Sequence, residues 1–119
     1  IVGDQECNEG SIWESFLLAK EYVLNNLTII IDKNGSSVRS VNMENIARTL
    51  SADLFDCFFI DGHSHFDIFD VMSKRGTGTE VIIADTIKGK GIRMMEDSPF
   101  EWHHRVPNES EYQKIMDEL

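Results

Sequence analysis

The amino-acid sequence predicts an α/β fold, doubly wound around a mainly parallel sheet. Two observations carry that expectation. Runs of β-branched and aromatic residues at 27–31, 56–60 and 80–84 alternate with segments whose apolar residues recur at helical spacing. The polar turns Gly3-Asp4, Asp32 to Asn34 and Asp61 to His63 fall at the carboxyl ends of predicted strands, where open α/β sheets bind ligands.

Ile1-Val2-Gly3-Asp4 reads as the tail of a strand and the turn after it, so residues 1–119 are expected to be a single partial domain. Ser11-Ile12-Trp13-Glu14 fits a capping box, with Ser at the N-cap and Glu three positions on. Ile12, Phe16, Ala19 and Val23 then keep helical spacing, widened by Trp13, Leu17 and Leu18, and predict a helix over 12–24 that Asn25-Asn26 ends. Leu27-Thr28-Ile29-Ile30-Ile31 suits a strand buried on both faces, and Asp32-Lys33-Asn34-Gly35 is its closing turn. Polar residues 36–42 predict a loop. Asn42 is positioned to cap a helix over 43–51 that turns Ile46, Ala47 and Leu50 inward.

Asp56 to Ile60 reads as a second buried strand, closed by Asp61-Gly62. A helix over 65–74 carries Phe66, Phe69, Val71 and Met72, and Arg75 to Thr79 is a Gly/Thr turn. Glu80-Val81-Ile82-Ile83-Ala84 is the third strand. An irregular stretch from Thr86 to Pro107 follows, and Asn108-Glu109-Ser110-Glu111 opens a terminal helix. Strands alternating with helices imply right-handed parallel crossovers.

The net charge of −10, spread along the chain, argues against nucleic acid as a partner, because phosphate backbones need clustered Lys and Arg. Cys7 and Cys57 offer no metal-type spacing or disulfide framework, which favours a reducing, cytoplasmic setting. Cys57, inside Cys57-Phe58-Phe59-Ile60, reads as a buried thiol. No apolar run reaches the length of a membrane span, and no signal peptide opens the sequence.

The chemistry gathers around Gly3-Asp4 and Asn34, at the two ends of one β-α-β unit. A carboxylate and a carboxamide from neighbouring strand ends suit a hard cation such as Mg²⁺, which takes oxygen ligands from side chains, backbone carbonyls, water and phosphate. The carbonyl of Ser36 is placed to add a backbone oxygen. The helix opening nearby contributes N–H groups and the positive end of its dipole.

Here the sequence resembles the thiamine diphosphate enzymes of the transketolase family. Their motif runs Gly-Asp-Gly-Glu, then Asn-Glu-Gly or Gln-Glu-Gly, and after a spacer a strand ending in Asp and a closing Asn. This chain reads Gly3-Asp4-Gln5-Glu6-Cys7-Asn8-Glu9-Gly10 and later Ile31-Asp32-Lys33-Asn34-Gly35. Asp61-Gly62-His63, Lys88-Gly89-Lys90-Gly91 and Trp102-His103-His104-Arg105-Val106-Pro107-Asn108 extend the resemblance to the last helix, most closely to the N-terminal section of transketolases made as two polypeptides.

The resemblance implies thiamine diphosphate and Mg²⁺ as cofactors. Gly3, Asp4, Gln5, Glu6 and Asn34 would line the cofactor, and Asp4, Asn34 and the Ser36 carbonyl would ligate the metal. Glu9 would join the carboxylate network between two cofactor sites. His103 would be the catalytic histidine, assisting proton transfer near the substrate's reacting carbons, whereas His63 is read as structural. The implied reaction transfers a two-carbon ketol unit between sugar phosphates, with chemistry supplied by the cofactor. Its implied partner is a pyrimidine-binding domain or subunit, in a homodimer or heterotetramer, and the chain alone would be inactive. The sequence departs from the family pattern at Gln5, where the family has a second Gly, and at Ser36-Ser37, where Leu-Gln is usual.

Plainer readings stand beside these. Asp4 fits a helix-approach cap, Asn34-Gly35 an ordinary turn, Glu9 a solvated acid, and His103 or His104 a hydrogen-bonded structural role. Lys88 to Gly91 lacks the spacing of a phosphate loop and reads as a mobile substrate-side loop. Competing functions are a 1-deoxyxylulose-5-phosphate synthase-like or acyloin-forming relative, a scaffold with a degenerate cofactor site, and a flavodoxin-like signalling domain.

Overall fold

A computed structural model describes residues 1–35, 42–74 and 76–118 of the chain, with the side chain of residue 53 left aside. The chain divides into two compact units, Ile1–Thr86 and Ile87–Leu119.

The first unit carries four strands, β1 (Val2–Gly3), β2 (Thr28–Lys33), β3 (Asp56–Asp61) and β4 (Glu80–Asp85), and three helices, α1 (Gly10–Glu21), α2 (Met43–Asp53) and α3 (His65–Ser73). The sheet is wholly parallel in the order β1-β2-β4-β3, so the predicted fold class holds. Side chains alternate between its two faces. On one face Ile29, Ile31, Val81 and Ile83 pack with Phe16 and Ala19 of α1 and with Ile46 and Leu50 of α2. On the other, Ile30, Ile60 and Ile82 meet Ile68, Val71 and Met72 of α3 around an apolar hollow of about 280 Å³. Helices on both faces explain why β2 and β4 read as unbroken apolar runs.

Several sequence expectations shift. Helix α1 starts before the predicted Ser11 cap: Glu9 is extended and its carbonyl accepts from Ile12 N–H at 3.1 Å, so Ser11 lies inside the helix and no side chain caps it. The helix also ends early. Val23 adopts the left-handed conformation (φ 50°), with Leu24 N–H donating to the Ala19 carbonyl and Val23 N–H to that of Lys20. Those two bonds form a Schellman terminus, here built on a β-branched residue rather than glycine. Val23, Leu17 and Leu18 are exposed instead of buried.

Strand β3 is an edge strand and not a doubly buried one. Phe59 is 66% exposed and Cys57 only half-buried, while Cys7 is the fully buried thiol. Phe66 and Phe69 of α3 likewise face outward, and Val71 is the helix's buried residue. The expected cap holds at α2, where Asn42 accepts from Glu44 N–H at 2.7 Å; at α3 the structure adds a cap that the sequence reading did not name, Ser64, which accepts from Asp67 N–H at 3.2 Å. Of the loop expected at 36–42, residues 36–41 lie outside the described residues, as does Arg75.

The second unit is not wholly irregular before its last helix. It contains a single helical turn, α4 (Arg93–Glu96), a 3-10 turn at Glu101–His103, and α5 (Glu109–Glu118). Asn108 and Glu111 cap α5 reciprocally: Asn108 Oδ1 accepts from Glu111 N–H at 3.0 Å, and Glu111 Oε2 accepts from Asn108 N–H at 2.9 Å. Among the described residues no helix is long and apolar enough to cross a membrane.

Candidate functional site

The register of the sheet sets the site. Val2 pairs with Ile31 and Gly3 with Asp32, so Asp4 leaves β1 beside the segment Asp32 to Gly35. Asp4 N–H donates to the Asp32 carbonyl at 3.1 Å, continuing the ladder one step past the strand. The Asp4 side chain is 1% exposed, and its Oδ2 accepts from Gly35 N–H at 3.0 Å. Gly35 sits at φ 73°, a left-handed conformation that glycine takes without a Cβ penalty. Asp4 is therefore a buried acceptor bridging β1 to the turn after β2. Asn34-Gly35 is more than a surface turn, since its Gly35 N–H ties it to Asp4.

Asn34 is oriented rather than loose. Its Nδ2 donates to Asp32 Oδ2 at 2.8 Å, and the hydroxyl of Thr86, just past β4, donates to Asp32 Oδ1. Asp32 thus joins the ends of β2 and β4. Sequence reasoning assigned no role to either Asp32 or Thr86, because their contact joins residues 54 positions apart. Lys33 is paired with Asp85 at 2.8 Å, in register across the same two strands.

The segment after β1 is a compact turn. Gly3 N–H donates to Glu6 Oε2 at 2.7 Å, and Asn8 Nδ2 donates to the Gln5 carbonyl at 2.9 Å. Gln5 has ordinary helical angles (φ −69°, ψ −40°) and is exposed, so this position does not require glycine's conformational freedom. Cys7 is buried beneath the turn, and its carbonyl accepts from Trp13 Nε1 at 2.8 Å. Burial, then the charges of Asp4 and Glu6, push its thiol up to about 11. Glu9 is exposed at the start of α1.

Among the described residues no group of three His, Cys, Asp or Glu side chains gathers as a metal site. The expected donor set is different: one carboxylate, one carboxamide and one backbone carbonyl. Asp4 and Asn34 are brought to adjacent strand ends, and Ser36 lies outside the described residues. This all-oxygen chemistry fits a hard divalent cation. The surroundings, with Glu6 and Asp32 nearby, are acidic, so a diphosphate needs a cation between itself and these carboxylates.

In the second unit, His103 closes the 3-10 turn and is exposed. Its ring meets that of His104 edge-on at 4.2 Å. The charge of Lys88, then that of His104, lowers its pKa below the usual histidine value. What fixes this segment is Arg105. Its guanidinium lies 3.6 Å over the Trp102 ring and forks onto Glu111 with two bonds of 2.9 Å. Glu111 in turn caps α5, and the Arg105 bond holds its carboxyl below the ordinary range. His63 N–H donates to Asp61 Oδ1 at 2.8 Å in the turn after β3.

Comparison with known proteins decides the lineage. Across its whole length the chain is 34% identical to one subunit of the apulose-4-phosphate transketolase of Actinobacillus succinogenes, and 31% identical to the same subunit from Phocaeicola vulgatus. It is also 31% identical to human transketolase over all of its residues. The chain belongs to the transketolase family. No protein-family model matches it. The chain spans 45% of the length of the two bacterial relatives and 20% of the human transketolase. The transketolase relationship thus covers both units, from the strand end at Gly3-Asp4 to the capped helix after Asn108.

Proposed function

We propose that this chain is the diphosphate- and Mg²⁺-binding portion of a thiamine diphosphate-dependent enzyme that transfers a two-carbon ketol unit between sugar phosphates. It acts with a pyrimidine-binding domain or subunit, in a homodimer or heterotetramer. The observation that carries this reading is the buried Asp4 carboxylate, bonded to Gly35 N–H beside Asn34 at adjacent parallel strand ends.

In this reading Asp4 and Asn34, with the Ser36 carbonyl, hold Mg²⁺, and Gly3, Gln5 and Glu6 border the diphosphate. When bound, thiamine diphosphate supplies the nucleophilic carbon and the electron sink for carbon–carbon cleavage. The chain's own task is to hold cation and diphosphate in one orientation, with carboxylates whose charge the cation offsets. Asp4 needs no reorganisation to do so, because Gly35 N–H already fixes one of its oxygens. His103, whose pKa the charges of Lys88 and then His104 lower from the usual histidine value, is suited to accept a proton at a ring nitrogen. Gln5, in unstrained helical backbone with an exposed side chain, supports an intact rather than a degenerate site.

The test is ketol transfer by the full-length protein assembled with its pyrimidine-domain partner. Asp4→Ala and Asn34→Ala should each lower turnover about 100-fold or more at limiting cofactor, since losing a direct ligand should cost at least as much as losing an outer-shell partner. His103→Ala should lower kcat and leave cofactor affinity unchanged. Wild-type turnover in Asp4→Ala would overturn the reading.

A further inference from the structure

A carboxamide can serve a cation only with its oxygen end, yet its oxygen and nitrogen ends have nearly the same size and shape. Something must decide which end Asn34 presents. In the structure that decision falls to Asp32, whose Oδ2 accepts from Asn34 Nδ2 at 2.8 Å. A carboxylate is an acceptor only, so it selects the NH₂ group and turns the amide oxygen away from itself.

Asp32 would be a poor guide if its carboxylate were free to rotate. Its other oxygen accepts from the Thr86 hydroxyl. Thr86 is itself held, since its backbone N–H donates to the Lys33 carbonyl at 3.0 Å. Behind its methyl group stands Gly62, whose N–H donates to the Asp85 carbonyl at 2.8 Å. A Cβ at position 62 would overlap Thr86 Cγ2 and stand 3.1 Å from both Ala84 Cβ and the Asp85 carbonyl oxygen. Glycine is thus the residue that lets Thr86 keep its place. Asp32, Gly62 and Thr86 also line the apolar hollow beneath α3, where low polarity strengthens the hydrogen bonds.

We propose that Gly62, Thr86 and Asp32 form a positioning relay, running across the ends of β3, β4 and β2, that fixes the amide orientation of Asn34 for a divalent cation. The proposal rests on the cofactor reading above. These are positioning residues, since none of them is assigned to the cation or the diphosphate.

The experiment titrates Mg²⁺ into the full-length protein with its pyrimidine-domain partner at saturating thiamine diphosphate, by calorimetry, with thermal denaturation of each variant alongside. Asp32→Ala should weaken Mg²⁺ about 10- to 100-fold, as loss of an outer-shell partner does. Asp32→Asn can still offer Asn34 an oxygen but is no longer acceptor-only, so it should weaken Mg²⁺ measurably, though less than Asp32→Ala. Gly62→Ala should weaken Mg²⁺ by displacing Thr86. Adding Thr86→Ser, which deletes Cγ2 and keeps the hydroxyl, should recover it; a general structural defect would not show that recovery. If Asp32→Ala does not fold, the Gly62→Ala and Thr86→Ser pair decides alone. Wild-type affinity in folded Asp32→Ala, an Asp32→Asn as weak as Asp32→Ala, or no recovery by Thr86→Ser would overturn the relay while leaving the cofactor reading standing. A wild-type protein without Mg²⁺-dependent cofactor binding would overturn both.

Discussion

Alkylation of the two cysteines tests the packing beneath the candidate site. Cys7 is fully buried between the Asp4 turn and α1, and its thiol is raised from 9.0 to about 11 by burial first and by Asp4 and Glu6 second. Only the thiolate reacts. At pH 8 a thiol of pKa 9.0 is roughly one-tenth ionised and one of pKa 11 roughly one-thousandth, so native Cys7 should react about 100-fold more slowly than the same thiol in the unfolded chain. Steric exclusion can only widen the gap. Cys57 is half-buried and raised by burial and Asp56, so it should react between these limits. Pulsed iodoacetamide labelling, with sites read by mass spectrometry and a urea-unfolded reference, measures both rates. Asp4→Asn should speed Cys7 modestly, because it removes one of the charges opposing the thiolate. The reasoning is refuted if native Cys7 labels within about tenfold of its unfolded rate at pH 8, or if it labels faster than Cys57.

Three more expectations follow from the same geometry. The His103 midpoint, followed by proton NMR, should lie below 6.5, and Lys88→Ala should raise it; an unchanged midpoint would remove Lys88 as the cause. Asn108→Ala should destabilise the chain by about 1 kcal/mol in urea unfolding, because it strips the acceptor from Glu111 N–H at the start of α5. Ile31→Ala, at a fully buried position, should cost about 3 kcal/mol, whereas Ile30→Ala on the partly open face should cost markedly less; the reverse order would mean that the register of β2 is wrong.

What the sequence made legible was local chemistry. Asn42 and Asn108 announced their helices because each cap acts on a backbone N–H two or three residues ahead. Asp4 and Asn34 were legible as a pair because one β-α-β unit places successive strand ends side by side. Ser11 misled for a related reason: its spacing to Glu14 fits a capping box, but the chain was already helical at Gly10. Sheet order was not legible. The run Cys57 to Ile60 is as apolar as its neighbours, yet insertion of β4 beside β2 leaves β3 at the edge with Phe59 exposed. For the same reason Asp32 and Thr86 escaped notice, since their meeting depends on which strand lies beside β2.

The central claim is that Asp4 and Asn34 form half of a cation-dependent diphosphate site. The most direct measurement is calorimetric titration of thiamine diphosphate into the full-length protein with its pyrimidine-domain partner, first with Mg²⁺ and then with EDTA. The account predicts saturable binding that requires Mg²⁺ and disappears in Asp4→Ala and in Asn34→Ala. Binding that persists in EDTA, or in Asp4→Ala, would contradict it, as would no binding by the wild-type assembly.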